Sequence, residues 1–200
     1  DEKKAFDLIH KAIDNGINFF DTGSAYSYGN AEIRLGKALK NSDLDSLIIS
    51  TKGVTVLSKG YRFSKNFSSE SLLKNLENSL RKLQLEKIDL YQLHSPSLKD
   101  INDDVFNIIE KMKKDGKILY SGVSCDGKVL EKVIKSDFFD TAMTTYNIIN
   151  HGNEKKLKKA KLKNIGTIVK SPLAHTVFNN NIFKISDVTS LWYFLRIVKN

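Results

Sequence analysis

The stretch GINFFDTGSAYSYGNAEIRLG, residues 16–36, decides the fold of this 200-residue chain. It begins with a short apolar segment that ends at Asp21, and this segment predicts a β-strand. A polar loop follows, and apolar residues then recur at helical spacing from Ala31 to Lys40, which predicts a helix. The residues before the stretch also have helical spacing and end at Asn15-Gly16, a common helix stop.

The same alternation continues along the rest of the chain. A predicted helix precedes each of five further predicted strands, which cover residues 46–52, 87–94, 117–124, 139–146 and 166–171. Strict alternation predicts right-handed crossovers and an α/β fold with a parallel sheet. The sheet is either an open doubly wound sheet or part of a closed (β/α)8 TIM barrel. The segment between the second strand and residue 69 is predicted to be a polar loop.

The composition excludes several classes of protein. Hydrophobic residues make up 40% of the chain and charged residues 28%, which is typical of a folded globular protein, so residues 1–200 are expected to form a single domain. No apolar run approaches the ~20 residues of a membrane helix, and no membrane association is expected. A single cysteine, Cys125, and the lack of a signal-peptide pattern predict a cytoplasmic protein.

The net charge is +9, from 32 basic and 23 acidic side chains. Almost all of the basic residues are lysines, whereas nucleic-acid binding usually also uses arginines and stacked aromatic residues. We therefore expect no nucleic-acid partner. An anionic ligand such as a phosphorylated cofactor explains the positive charge better.

The candidate functional residues are identified by their position at strand ends, because the sequence lacks the common catalytic and binding motifs. No predicted strand is followed by G-x-G-x-x-G, and the sequence has no P-loop, no G-x-S-x-G elbow and no cluster of metal-ligating residues. Ligands of parallel α/β sheets bind at the carboxyl ends of the strands. Four predicted strands end in a polar or ionisable side chain: Asp21, Lys52, His94 and Ser124.

Three of these residues would form an acid–base set with Tyr26, which lies in the loop after the first strand. A tyrosine is a poor acid at neutral pH, with a pKa near ~10, unless a nearby cation lowers it. Lys52 would supply that cation and Asp21 would hold it, while His94 would hydrogen-bond a substrate oxygen. Each residue alone also has an ordinary structural explanation, as a turn residue, a solvated charge or a packed ring.

Residues 16–36 resemble the signature of the aldo-keto reductase family. In that signature a strand ending in Asp-Thr is followed by a tyrosine, a glutamate and a glycine, and the spacing is kept by Asp21, Tyr26, Glu32 and Gly36. Further segments resemble the family in the same order and extend the resemblance over nearly the whole chain: residues 48–52, 78–94, 116–124, 146–147 and 170–173.

The resemblance implies a (β/α)8 barrel that reduces an aldehyde or ketone with NAD(P)H. NADPH is the expected cofactor, with NADH as the alternative, and the expected partner is a small-molecule carbonyl substrate. Tyr26 would protonate the carbonyl oxygen, helped by Lys52 paired with Asp21, and His94 would orient the carbonyl. In the cofactor site, the resemblance places Ser124 under the nicotinamide carboxamide, and Ser171 and Leu173 on the diphosphate loop.

Several positions leave alternatives open. Cys125 stands where the family usually has asparagine and Met143 where it usually has glutamine, so neither can hydrogen-bond the carboxamide as an amide would. Lys170 replaces an aromatic residue that many members stack on the nicotinamide. These changes allow a second interpretation, a non-catalytic NADP-binding or regulatory subunit on the same barrel. Tyr28, which directly precedes a glycine, is the alternative proton donor to Tyr26.

Six predicted strands are fewer than the eight of a complete barrel, which takes about 250 residues. Residues 1–200 are therefore expected to be an internal fragment without the first and last strands, poorly folded and inactive by itself. Substrate contacts are expected from the loop at residues 52–69, with Tyr61, Phe63 and Phe67, and from the tail between Phe178 and Tyr193. The sequence predicts neither a particular carbonyl substrate nor an oligomeric state.

Overall fold

The structure, a computed structural model, describes residues 2–58, 62–173, 185 and 191. Tyr61 and, apart from residues 185 and 191, the tail predicted to contact substrate lie outside the described residues. The helices are α1 Glu2–Asp14, α2 Asn30–Leu39, α3 Ser69–Leu83, α4 Asp103–Lys114, α5 Gly127–Ser136 and α6 Glu154–Leu162. The strands are β1 Phe19–Asp21, β2 Ile48–Gly53, β3 Thr55–Ser58, β4 Arg62–Lys65, β5 Ile88–His94, β6 Ile118–Ser124, β7 Thr141–Thr145 and β8 Gly166–Lys170.

Six of these strands form one parallel sheet in the order β1-β2-β5-β6-β7-β8. Each strand is connected to its neighbour in the sheet through a helix, so the predicted alternation and the predicted parallel pairing are confirmed. The register pairs Lys52 with Gln92 and His94 with Ser124, which brings the carboxyl ends of β2, β5 and β6 to one edge.

One prediction is wrong, since the segment after β2 is not a simple polar loop. It contains an antiparallel hairpin of β3 and β4, with Thr55 opposite Lys65. The sequence signal was present: Thr55-Val56-Leu57 favours a strand, and Gly60 is a turn residue between two short extended segments. Polar residues surround these segments, so the apolar pattern that identifies the other strands is weak here.

The helices cover the sheet with apolar stripes. Helix α3 begins after Ser68, whose side chain accepts a hydrogen bond from the amide of Ser71, and it buries leucines at helical spacing: Leu72, Leu76, Leu80 and Leu83. These pack with strand residues such as Ile49 and Leu93 in the hydrophobic core. Successive side chains of a strand point to opposite faces, so the residues an odd number of positions away from these apolar ones lie on the other face; they include the polar residues Ser50, Lys52 and Gln92.

Close packing of α2 on α3 depends on a glycine. A Cβ atom at Gly36 would lie 2.5 Å from the backbone oxygen of Leu83, a distance that no side chain tolerates. Within the described residues, no helix is long and apolar enough to cross a membrane, and no three metal-ligating side chains come together.

Candidate active site

A buried ion pair lies at the carboxyl ends of β1 and β2. Lys52 is only 1% exposed, and its Nζ donates hydrogen bonds to Asp21 Oδ2 and, at 3.0 Å, to the backbone oxygen of Thr22. The other carboxylate oxygen, Asp21 Oδ1, accepts hydrogen bonds from Ser50 Oγ at 2.9 Å and Gln92 Nε2 at 3.1 Å. The carboxylate, at the end of β1, is therefore held by side chains from two further strands, β2 and β5, and it fixes the position of the ammonium.

Ser50 and Gln92 are site residues that the sequence interpretation missed. The Gln92 amide also donates to Ser50 Oγ at 2.8 Å, and both side chains are fully buried. A signal did exist, because each lies two residues before a predicted site residue and so faces the same side of its strand.

Tyr26 lies directly beside this pair. It opens a short 3₁₀ turn, Tyr26–Gly29, and its ring centroid lies 5.0 Å from Lys52 Nζ. The same ring meets His94 edge to face, with centroids 5.8 Å apart. Tyr28, by contrast, is 63% exposed and lines a separate cavity. The structure therefore brings Asp21, Lys52, His94 and Tyr26 together and leaves Tyr28 outside the group.

The loops that carry these residues have strained backbones. Ser27 and Tyr28 have φ angles of 51° and 55°, and Gly29 follows at 88°, so three consecutive residues lie in the left-handed region. Val54, directly after β2, has a φ of 74°, which is rare for a β-branched residue. Such strain costs on the order of 1–3 kcal/mol per residue and is concentrated at functional sites in many proteins.

His94 ends β5 and is held by the hairpin. Its Nδ1 lies 3.2 Å from Thr55 Oγ1, and burial lowers the pKa of the imidazole to about 4, with smaller contributions from Lys52, Lys65 and Lys170. The ring is consequently neutral at physiological pH. A neutral imidazole with one nitrogen engaged by Thr55 can use the other to hydrogen-bond a ligand oxygen.

The next strands carry the residues predicted to bind a cofactor. Ser124 is 3% exposed, and its hydroxyl makes no hydrogen bond within the described part of the chain. Ser171, directly after β8, has a φ of 57°, and its backbone oxygen accepts a hydrogen bond from Asn147 Nδ2 at 3.0 Å. Leu173 is 70% exposed. Ser124 therefore adjoins His94, while Ser171 and Leu173 lie two strands farther along the same edge.

The two residues that depart from the family pattern, Cys125 and Met143, are both buried. Cys125 and Met143 are 3% and 5% exposed, and the amide of Cys125 donates to the backbone oxygen of Met143 at 2.9 Å. Burial raises the pKa of the Cys125 thiol to about 12; Lys170 lowers it and Asp126 raises it by smaller amounts. The thiol is thus protonated, as expected of a packing residue.

A second carboxylate that the sequence interpretation missed, that of Asp126, connects the loop after β6 to β7 and β8. Asp126 Oδ1 accepts hydrogen bonds from Thr144 Oγ1 at 2.7 Å, the Thr145 amide at 2.8 Å and Asn153 Nδ2 at 3.0 Å. Lys170 Nζ lies 2.9 Å from Oδ2. Burial acts to raise the pKa of Asp126, but the hydrogen bonds from Lys170, Thr144 and Thr145 outweigh it, so the pKa is lowered.

Asp21, Tyr26, Lys52 and His94, the predicted acid–base group, thus lie at the carboxyl edge of a parallel α/β sheet, which is where barrel enzymes bind their ligands. The profile of the Aldo/keto reductase family matches residues 1–190, and the chain belongs to that family. Its members use NAD(P)H, and the (β/α)8 barrel predicted from the sequence is the fold of its solved members. The described strands form part of such a barrel.

Relatives from bacteria support this assignment. The uncharacterised oxidoreductase YqkF of Bacillus subtilis is 28% identical over 176 residues, which cover 87% of this chain and 57% of YqkF. The NADH-specific methylglyoxal reductase of Escherichia coli is 28% identical over 170 residues, 78% of this chain and 52% of the reductase. The chain thus spans about half the length of these curated relatives.

Solved structures show the same fold. The holo form of aldo-keto reductase AKR11C1 from Bacillus halodurans matches with a TM-score of 0.84 and 28% identity, over 90% of this chain and 61% of that protein. An aldo/keto reductase from Klebsiella pneumoniae, in complex with NADP and acetate, matches with a TM-score of 0.76 and 23% identity, over 95% of this chain and 65% of its own. The second likeness supports the fold alone.

Proposed function

We propose that the full-length protein reduces an aldehyde or ketone to an alcohol with NAD(P)H, and that Tyr26 is the proton donor. The observation that carries the proposal is the position of the Tyr26 ring, between the Lys52 ammonium at 5.0 Å and the His94 ring at 5.8 Å. A substrate carbonyl oxygen that reaches the Tyr26 hydroxyl would also lie beside His94.

The chain's own residues would divide the work as follows. Tyr26 donates its proton to the carbonyl oxygen, and the Lys52 ammonium stabilises the phenolate that remains. Asp21, held by Ser50 and Gln92, pairs with the buried ammonium and keeps it in place. His94, neutral in this site, hydrogen-bonds the carbonyl oxygen and orients it. Solvent then returns a proton to Tyr26.

A bound NAD(P)H would supply the hydride that the carbonyl carbon needs. Its nicotinamide end would meet the open hydroxyl of Ser124, next to His94, and its phosphates would lie near Ser171 and Leu173. The buried side chains of Cys125 and Met143 offer it no amide. We propose NADPH as the cofactor, with NADH to be tested beside it.

The test compares two tyrosines that lie two residues apart. In the full-length protein, Tyr26→Phe is expected to lower kcat for 4-nitrobenzaldehyde by about 10²–10⁴-fold, the usual contribution of a general acid. Tyr28→Phe is the matched control and is expected to keep the wild-type kcat, because Tyr28 lies outside the acid–base group. Circular dichroism and quenching of fluorescence by NADPH would verify that both variants fold and bind cofactor. Activity that survives Tyr26→Phe and disappears with Tyr28→Phe would move the role to Tyr28.

A second candidate function is a non-catalytic NADP-binding or regulatory subunit. The observation that favours it is the pair of buried side chains without an amide, Cys125 and Met143, at the predicted carboxamide site. This function predicts NADPH binding by the wild-type protein without turnover of any aldehyde in a broad panel.

A further inference from the structure

The β3–β4 hairpin places a lysine next to the acid–base group. Lys65 is the register partner of Thr55, and directly opposed residues of an antiparallel pair project from the same face. Thr55 is the residue whose Oγ1 lies 3.2 Å from His94 Nδ1. Lys65 therefore lies on the face of the hairpin that meets His94, and its Nζ donates to the backbone oxygen of Ser95 at 2.9 Å.

Lys65 differs from the other two lysines that act on the His94 pKa. Lys52 is paired with Asp21, and Lys170 is paired with Asp126. Lys65 has no carboxylate within ion-pair distance in the part of the chain that the structure describes. A lysine ammonium has three donors, and within the described residues one of them bonds a backbone oxygen, so two N–H groups are left there to bind a ligand.

The nearest acidic influence on Lys65 is already engaged elsewhere. Asp100 acts on the pKa of Lys65, but Asp100 Oδ2 accepts hydrogen bonds from the Ser97 amide at 2.8 Å and from Ser97 Oγ at 2.5 Å. Although Lys65 is exposed, partial desolvation is the largest influence on its pKa and lowers it; Asp100 raises the pKa and Lys170 lowers it, so the net direction is down. An ammonium in this state gains from an added anion.

There is also space for a ligand at this position. A cavity of about 610 Å³ has Lys65 and Ser95 in its wall, together with the hydrogen-bonding side chains of Asn66 and Asn102. Two carboxylates, Asp100 and Asp104, and a second lysine, Lys99, also line it. The volume lies within the usual range for a small-molecule site, roughly 300–1,000 Å³.

We propose that the site selects carbonyl substrates that carry an anionic group, a carboxylate or a phosphate, and that Lys65 binds this group. The inference rests on the proposed reductase function, with the carbonyl at Tyr26 and His94. It assigns Lys65 a role in specificity and none in proton transfer.

The experiment measures kcat/KM of the full-length protein for matched pairs of aldehydes. 4-Carboxybenzaldehyde is compared with its methyl ester, and 4-formylphenyl phosphate with 4-hydroxybenzaldehyde, so that the two arms distinguish carboxylate from phosphate. The wild type is expected to prefer the anionic member of at least one pair. Lys65→Met is expected to lower that preference about tenfold, the effect of one charge-assisted hydrogen bond, and Lys65→Arg to retain most of it. Lys158→Met, an equal charge change on exposed α6, is the control and is expected to leave the preference unchanged.

The outcomes separate this inference from the proposed function. If neutral aldehydes are reduced but the wild type shows no anionic preference, or if Lys65→Met leaves the preference intact, the inference is wrong and the reductase function stands. If Lys65→Met raises the KM for NADPH and changes all aldehydes equally, Lys65 serves the cofactor and the inference is again wrong. If no aldehyde of either kind is reduced, the proposed function itself fails.

Discussion

Each half of the sheet's carboxyl edge contains a lysine–aspartate ion pair, and the two pairs differ in how deeply the lysine is buried. On β1, β2 and β5, Asp21 pairs with Lys52, whose side chain is 1% exposed. On β6, β7 and β8, Asp126 pairs with Lys170, whose side chain is 29% exposed. The Asp21–Lys52 pair, the deep pair, lies beside the Tyr26 ring, whereas the Asp126–Lys170 pair, the shallow pair, connects the loop after β6 to β8. The two pairs have the same residue types and differ in burial, so the comparison tests whether burial decides the role of such a pair.

The substitution with the largest expected effect removes the lysine of the deep pair. Lys52→Met removes the ammonium that, in the proposed function, would stabilise the Tyr26 phenolate, while it keeps a side chain of similar length. We expect kcat to fall about 10²–10⁴-fold. The fold should persist, because Asp21 keeps its hydrogen bonds from Ser50 and Gln92. Steady-state kinetics at saturating cofactor, with a thermal melt of each protein, would measure both.

Lys170→Met is the matched control on the other half of the edge. Since its ammonium pairs with Asp126 and is less buried than that of Lys52, we expect a much smaller loss of kcat at saturating cofactor than for Lys52→Met; an effect of position 170 on the nicotinamide would be seen in the KM for NADPH. Equal losses in the two variants would show that the two pairs do not differ in role, and the comparison would fail.

The second-largest expected effect is a loss of stability when the aspartate of the shallow pair is replaced. Asp126→Ala leaves the buried Thr144 hydroxyl and the Thr145 amide without their acceptor, whereas the Asn153 amide keeps Thr144 Oγ1 and the Thr145 backbone oxygen, so we expect the free energy of unfolding to fall by about 2–3 kcal/mol. Urea denaturation would measure it. Lys170→Met should cost about 1 kcal/mol or less, as exposed ion pairs do. Similar costs for both variants would mean that the ion pair, and not the set of hydrogen bonds, is what matters.

The smallest effect is the titration of His94. Its pKa of about 4 in the folded protein lies below the usual value of 6.5. The unfolded chain therefore binds more protons between these two values, and the unfolding free energy contributed by this group rises with pH across that window and is lost on acidification. NMR titration of the imidazole, assigned with a His94→Gln variant, would measure the pKa. A value near 6.5 would show that the ring is solvated and would contradict the lowered pKa.

The sequence predicted the first half of the edge better than the second. Asp21, Lys52 and His94 end strands that the apolar pattern identifies, and strand ends of a parallel sheet meet at one edge. Asp126 shows why the rest was missed. It occupies the N-cap position of α5, where an aspartate is ordinarily a local cap, but its side chain makes no capping bond and instead bonds β7.

The hairpin was missed for a related reason. Its role comes from the register of Thr55 with Lys65 and from the contact of Thr55 with His94, which lies 39 residues away. Local propensity indicates a short strand, but it carries no information about which distant side chain that strand will meet.

The left-handed residues after Tyr26 have a consequence for how this protein would evolve. Replacing Ser27 or Tyr28 by glycine would relieve backbone strain at positive φ, so selection for heat resistance would favour such changes. The same changes would loosen the turn that begins with Tyr26, and selection for turnover would oppose them. This loop is therefore a place where lineages adapted to different temperatures would be expected to diverge.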